Sequence, residues 1–416
     1  MKCRICSKSA TPVISFGSMP IANGFLEINQ FDQEYFFELA TTFCPSCKMF
    51  QLKEQPNPQM MFHENYAFFS STSKKMAEHF EKLANSYIAD FIPDLKNAFV
   101  IELGSNDGIM LRHFAKAGIK HLGVEPSENV AEVARKNGVN TITQFFGEDT
   151  AKTVLSTYGK ADIISAANVM CHIPNLHSVA QGVSLLLKDM GILVFEDPYL
   201  GDMIQKTSFD QIYDEHVYIF SVQSVRNVFK QYDLEVFHVE PQITHGGSMR
   251  YYLCRKGAHS VRESVQKQLE FEKFLGLEKT QTYQQFAQNC EKSKKEFVTL
   301  LQKLKAEGKR VVGYAATSKS TTILNYCGIG SNLIEYICDT TPLKQGKYSP
   351  GTHIAVKSHD EFKKNLPDFA ILFAWNHASE IFEKENEFIE NGGQWVVFVP
   401  GVKVLSADES TVPHVA

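Results

Sequence analysis

The chain has 416 residues, 44% hydrophobic and 21% charged, which is enough apolar material for real cores and excludes both a single small module and general disorder. Two or three domains are expected from that length. A formal net charge of −5 lacks the basic excess of a dedicated nucleic-acid or anionic-membrane binder, so neither partner is expected.

The opening MKCRICSKSATP has no apolar core followed by a cleavage site, and no apolar run reaches membrane-span length; the expectation is a cytoplasmic protein. Of nine cysteines, four form two tight pairs, while Cys171, Cys254, Cys290, Cys327 and Cys338 are scattered singly. That usage fits a reducing compartment.

Residues 1–65 hold the paired cysteines, many turn residues and little helical periodicity, as in a small module that needs a staple. Cys3-x-x-Cys6 and Cys44-x-x-Cys47 can surround one tetrahedral Zn²⁺ with four sulfurs, a structural site with no position left for water. A redox CxxC pair or unligated thiols are the alternatives.

From residue 66 to 257 short apolar runs alternate with helical stretches. AFVIELG, HLGVEPS, NTITQF, ADIISAAN and GILVFEDP are read as parallel strands, and LEVFHVE with SMRYYLCR as a closing antiparallel pair, making seven. The turn Glu102-Leu103-Gly104-Ser105-Asn106-Asp107-Gly108 follows the first strand and precedes a helix, the place for a ligand. It lacks the G-x-G-x-x-G order, and Asp107 would repel a diphosphate. Glu125, ending the second strand, is placed to accept the hydroxyls of a ribose. Acidic Glu102 and Asp107 suit a ligand bearing an ammonium and a sulfonium, as S-adenosylmethionine does.

Residues 258–308, rich in Lys, Glu and Gln, are read as one or two long helices acting as spacer or brace. From residue 309 to 416 the alternation resumes in RVVGYAAT, IEYICD, THIAV, DFAILFAW and QWVVFVP, predicting a second α/β domain. Thr317-Ser318-Lys319-Ser320-Thr321 follows its first strand, and such a helix start suits an anion. Ser318, Lys319, Lys344 and Lys347 are therefore candidates for a nucleotide diphosphate. Paired glycines after His245 suit close backbone approach to a ligand.

Taken together, the four cysteines, YAFFSSTS from Tyr66, ELGSNDG, GVEPS, NVMCHIPN, FEDPYLGDMIQKTSFDQIYDEHVYIFS, HGGSMRYY, GYAATSKSTTILNYCGI and KQGKYSPGTHI span nearly the whole chain. Their combination resembles the sugar C-methyltransferases of deoxysugar biosynthesis, the NDP-hexose 3-C-methyltransferase family. The resemblance implies an N-terminal zinc-binding module, a central seven-stranded Rossmann-like methyltransferase domain and a C-terminal Rossmann-like α/β domain. It implies methyl transfer from S-adenosylmethionine to C3 of a nucleotide-linked 4-keto-6-deoxy sugar, with no obligate protein partner. Pro126 and Asn168, within GVEPS and NVMCHIPN, join the cofactor set.

Such chemistry needs a base for a weakly acidic C–H and a partner for the enolate oxygen. Tyr213-Asp214-Glu215-His216 offers phenol, carboxylate and imidazole on what is read as a loop before a helix capped by Ser221. His216 is assigned as the base, since an ordinary imidazole accepts a proton near neutrality, and Glu215 as orienting it or the sugar. The family likeness adds Tyr66, Tyr213 and His172 to the pocket. Two rival readings are an NAD(P)-dependent nucleotide-sugar oxidoreductase, favoured by two Rossmann-like halves, and a zinc-ribbon nucleic-acid adaptor, disfavoured by the acidic balance.

Overall fold

The computed structural model describes residues 1–61, 70–72 and 74–405; Tyr66 lies outside them. In the N-terminal module, β1 (Thr11–Pro20), β2 (Phe36–Phe43) and β3 (Phe50–Leu52) form an antiparallel meander. Its fourth strand comes from far along the chain. Tyr218–Ile219 pairs with β3, Ile219 opposite Phe50, so residues 1–65 do not complete their own sheet.

The central sheet contains β4 (Phe99–Leu103), β5 (Lys120–Glu125), β6 (Thr141–Thr143), β7 (Ala161–Ala167), β8 (Leu187–Pro198), β10 (Leu234–Gln242) and β11 (Ser248–Arg255), β9 being Tyr218–Ile219. Its order is β6-β5-β4-β7-β8-β11-β10. The first five are parallel, and β11 runs antiparallel to both β8 and β10, as the alternation predicts. Every residue of β4 is buried, the continuous apolar signature of a strand covered by helices on both faces. Those helices are α1 (Lys74–Phe91), α2 (Leu111–Lys116), α3 (Glu128–Lys136), α4 (Glu148–Tyr158), α5 (Leu176–Leu186), α6 (Leu200–Lys206) and α7 (Val222–Phe229). Ser221 caps α7 as expected, its hydroxyl accepting the Ser224 N–H.

The polar stretch after the sheet forms α8 (Glu263–Phe274) and α9 (Thr280–Ala306), broken at Gly276. It is more than a spacer. Tyr283, Phe286, Cys290, Phe297, Leu301 and Leu304 make a buried stripe along α9 at the three- and four-residue spacing of one helical face. Tyr283 stacks on Phe43 with centroids 4.0 Å apart, and Phe297 meets Phe398 at 5.7 Å. One apolar core therefore runs from the N-terminal sheet through α9 to the C-terminal sheet, and each such side chain contributes roughly 1.5–3 kcal/mol of burial. Glu272 of α8 is buried, and its carboxylate accepts the Val222 and Gln223 N–H groups at the head of α7.

The C-terminal sheet comprises β12 (Val311–Tyr314), β13 (Ile337–Asp339), β14 (Val356–Ser358), β15 (Phe369–Leu372), β16 (Gln394–Val397) and β17 (Lys403–Leu405) in the order β14-β13-β12-β15-β16-β17. Helix α10 (Ser318–Cys327) follows β12. Two expectations need correction. The strand read at THIAV begins only at its last residue, Val356, because Ile354 and Ala355 are used in turns that pair with Ser349, Tyr348 and Ile337. The antiparallel edge strand β17 is not among the strands read from sequence, because three residues are too short a run to show alternation.

Candidate active site

Sheet order reverses between β4 and β7, and in open α/β sheets ligands bind at that point, outside the carboxyl ends of the strands. The turn 104–108 leaves β4 there. Gly104 has φ +61° and a Cβ on it would lie 2.4 Å from a Val169 methyl; Gly108 has φ +79° and would meet Val139 at 2.8 Å. Both positions therefore require glycine. Asn106 also has positive φ, and its N–H donates to Glu125 while Ser127 N–H donates to the other Glu125 oxygen, each at 2.9 Å. Glu125 thus braces the turn and keeps two lone-pair directions for a ligand. Pro126 lies between those anchors.

Asp107 accepts from the Ser71 N–H and hydroxyl at 2.9 and 2.6 Å, and Asn106 accepts from Ser70 N–H at 3.0 Å. Ser70 and Ser71 are thereby pinned on the cradle. Buried Glu102 Oε2 and Asp107 Oδ1 have no hydrogen-bond partner among the described residues. Burial, then the charges of Asp107 and Glu125, pushes the Glu102 carboxyl well above its usual range. Three crowded carboxyls on a turn that admits close backbone approach fit a cationic ligand and oppose a diphosphate.

Asn168, just past β7 with φ +54°, donates its amide to His245 Nε2 at 2.8 Å. The His245 carbonyl accepts from Gln211 and from Lys319 Nζ. Beside it, a Cβ on Gly246 (φ +88°) would stand 2.2 Å from the Trp375 ring. The mouth of the central sheet and that of the C-terminal sheet thus meet across His245–Gly246; Gly246 serves that contact, while Gly247 lies against Asp202 of α6. Gly246→Ala is expected to lower turnover at least about ten-fold and to cost about 1–2 kcal/mol from the left-handed backbone alone; activity and thermal unfolding measured together check it.

The segment 211–217 carries the proposed base. The His216 ring donates from Nδ1 to the Gln211 carbonyl at 2.6 Å, which leaves Nε2 as acceptor for the Tyr213 hydroxyl at 2.8 Å. Because a carbonyl can only accept, this bond sets the tautomer. His172, in the turn Met170–His172 after β7, stacks on His216 with centroids 5.3 Å apart. Burial lowers the His216 pKa well below that of free imidazole and His172 adds to the effect; burial brings His172 itself down to about 4. Burial thus disfavours the charged form of both rings.

Glu215 is buried and makes no hydrogen bond to His216 among the described residues; the imidazole is oriented by the Gln211 carbonyl, a backbone group that residue type cannot reveal. Burial and neighbouring Asp214 push Glu215 up to about 8, opposed by Lys344. Asp214 accepts the Ala22 N–H at 3.0 Å, and Leu52 N–H donates to the Val217 carbonyl at 2.8 Å. The N-terminal module therefore grips both sides of Glu215–His216.

At the C-terminal helix start, Thr317 and Ser320 cap each other, and the Thr321 hydroxyl donates to the Ala22 carbonyl at 2.7 Å. Most of the expected hydroxyls are thus engaged. Ser318 remains half-buried, Lys319 is buried over Trp375 and donates to Asn376 at 3.1 Å, and Lys344 donates to the Ala316 carbonyl at 2.8 Å. Lys347 sits in the next turn, its carbonyl bonded to Val356 N–H. Asp210, which accepts Trp375 Nε1 at 2.6 Å and faces Lys319 electrostatically, was not anticipated, although it lies in the FDQIYDEH motif.

The four N-terminal cysteines converge: all sulfurs lie within 4.8 Å of one another. The shortest contacts, Cys3 to Cys47 and Cys6 to Cys44 at 3.5 Å, run between knuckles, not within a CxxC pair. Both knuckles repeat one backbone device: Ser7 and Lys48 have positive φ and donate to the Cys3 and Cys44 carbonyls. Sulfurs around a tetrahedral zinc stand about 3.8 Å apart at a Zn–S length of about 2.3 Å, so the set fits that ion.

Three family models match consecutive parts of the chain: "Putative zinc binding domain" over residues 3–62, "Methyltransferase domain" over 76–239 and "C-methyltransferase C-terminal domain" over 243–400. C-methyltransferase NovU of Streptomyces niveus is 34% identical over 412 residues, 98% of this chain and 98% of that protein. The chain belongs to the C-methyltransferase family. This membership gives no support to the oxidoreductase reading. A ubiquinone biosynthesis O-methyltransferase of Actinobacillus pleuropneumoniae serotype 5b (strain L20) is 30% identical over 127 residues, 27% of this C-methyltransferase and 53% of the relative. The structure of magnesium protoporphyrin IX methyltransferase from Synechocystis PCC 6803 matches 43% of this chain and 79% of its own at 16% identity, with a TM-score of 0.32. No helix among the described residues is long and apolar enough to cross a membrane.

Proposed function

We propose that this C-methyltransferase moves a methyl group from S-adenosylmethionine to C3 of a nucleotide-linked 4-keto-6-deoxyhexose. The observation that carries the reading is the Tyr213–His216 pair: an imidazole whose tautomer is set by a carbonyl, whose free nitrogen meets a phenol, and which is buried beside a second imidazole. Bound at the turn 104–108, the cofactor supplies an electrophilic methyl group. His216 Nε2 takes the C3 proton, the electron pair passes towards the C4 oxygen, and Tyr213, released from Nε2, donates a hydrogen bond to that oxygen. His172 lines the same face. Lys319 and Lys344 offer charge to the substrate's diphosphate from the C-terminal domain, with Ser318 and Lys347 beside them. Binding energy from that non-reacting part positions the sugar. Domain limits at 65/66, 257/258 and 308/309 belong to the same reading.

Incubating the enzyme with labelled S-adenosylmethionine and a panel of nucleotide-linked keto and non-keto sugars tests it. A product one methyl heavier at C3 from the 4-keto sugar alone is expected, and methylation at oxygen or nitrogen would refute it. Asp107→Asn combined with Glu125→Ala is expected to weaken cofactor binding by about 10–100-fold in calorimetry, on the scale of two charge-assisted contacts; wild-type affinity would place the ligand elsewhere.

The pH profile is a separate check. Burial disfavours the charged imidazolium, so the folded pKa of His216 is lowered and the base keeps its lone pair to a pH well below that of free imidazole. The acid limb of kcat/KM should therefore lie at lower pH than the ordinary His value of about 6.5.

A further inference from the structure

We propose that Cys171, His172 and His216 form a second metal site, which draws a Zn²⁺-class ion into the reaction pocket and inhibits the enzyme. One sulfur and two ring nitrogens from these residues lie within 4.8 Å of one another, and a tetrahedral ion with bond lengths of about 2.0–2.3 Å holds its ligands about 3.3–3.8 Å apart, inside that limit. Three protein ligands leave a fourth position open to solvent or substrate. The donor set is thiolate and imidazole, which selects zinc, cobalt, nickel or copper and rejects Mg²⁺ and Ca²⁺.

The arrangement is held from behind. Asp197, at the end of β8, accepts the Cys171 N–H at 3.2 Å and hydrogen-bonds its thiol, which fixes the position of the sulfur before an ion arrives. The His216 ring is fixed from its other side by the Gln211 carbonyl. Binding forms three metal–ligand bonds. His216 Nε2 gives up the Tyr213 hydroxyl and donates its lone pair to the ion, a His172 nitrogen does the same, and Cys171 loses its thiol proton to solvent, so the pocket gains one net positive charge. A lone pair held by the ion cannot take a proton from carbon. The inhibition rests on the reading of His216 as base; the metal binding does not.

The test uses the enzyme carrying its structural zinc. Titration with Co²⁺ is expected to bind one further equivalent, with a thiolate-to-cobalt absorption band that disappears in Cys171→Ala and Cys171→Ser. Added Zn²⁺ should slow methyl transfer by about ten-fold or more in wild type and much less in either variant, while Mg²⁺ does nothing. Failure to take up a further equivalent, or a bound ion with no thiolate band, overturns the site; the wild-type titration decides this even if a variant fails to fold. A thiolate band with an unaltered rate establishes the ligands but overturns the inhibition, and points to a base other than His216.

Discussion

His216→Asn is expected to lower kcat by about 10²–10⁴-fold, the usual share of a positioned general base, while S-adenosylmethionine still binds in calorimetry. The substitution is conservative where it should be. An asparagine amide can keep the bond to the Gln211 carbonyl that the Nδ1–H makes at 2.6 Å, while its shorter side chain gives up the Tyr213 hydroxyl that Nε2 receives. What it lacks is a nitrogen lone pair basic enough to take a proton from carbon. Retained turnover would remove His216 from the base role and leave the Tyr213 phenol as the group to test. Tyr213→Phe is expected to be milder, about 10–100-fold, because it removes a hydrogen bond to a developing oxyanion and not the base. Solvent deuterium exchange into C3 separates the two: His216→Asn should abolish it, and Tyr213→Phe should only slow it.

The double variant Cys3→Ser with Cys44→Ser should lose its zinc and most of its activity together. Structural zinc sites contribute apparent binding energies of about 10–16 kcal/mol, comparable to the whole stability of a domain, so the N-terminal module should not stay folded without the ion. The effect reaches the reaction pocket by two routes. Leu52 and Ala22 of the module hydrogen-bond to Val217 and Asp214 on either side of Glu215–His216. His177 of α5 donates to the Ile5 carbonyl at 2.7 Å, and Asn227 of α7 donates to the Cys47 carbonyl at 3.1 Å, tying both knuckles to the central domain. Metal content, thermal unfolding and turnover measured on one preparation check the prediction. Full activity in a zinc-free sample would show that the catalytic segment stands without the module.

The readings that succeed from residues alone rest on local physics. A run such as FVIEL between two helical segments must be a strand covered on both faces, and a turn such as ELGSNDG after it needs glycine where φ is positive and a neighbouring side chain intrudes. Paired C-x-x-C knuckles announce a tetrahedral ion because each knuckle closes on its own backbone. Other features have no local signature. The two-residue strand Tyr218–Ile219 is too short to show alternation and exists because β3 offers it an edge. The Gln211 carbonyl orients His216, and a carbonyl is common to every residue.

The amino-acid order thus determined the cysteine-knuckle module, the two α/β parts, the cradle and the metal ligands, since backbone conformation and hydrophobic period depend on neighbours a few positions away. Only the folded chain decided that the N-terminal module borrows a strand beside His216, that α9 fuses the outer sheets into one core, and that Gly246 lets Trp375 close on His245. Those outcomes join positions from about 100 to 240 residues apart in sequence, where pairing is chosen by the burial and hydrogen bonds of the whole molecule and not by any short stretch of it.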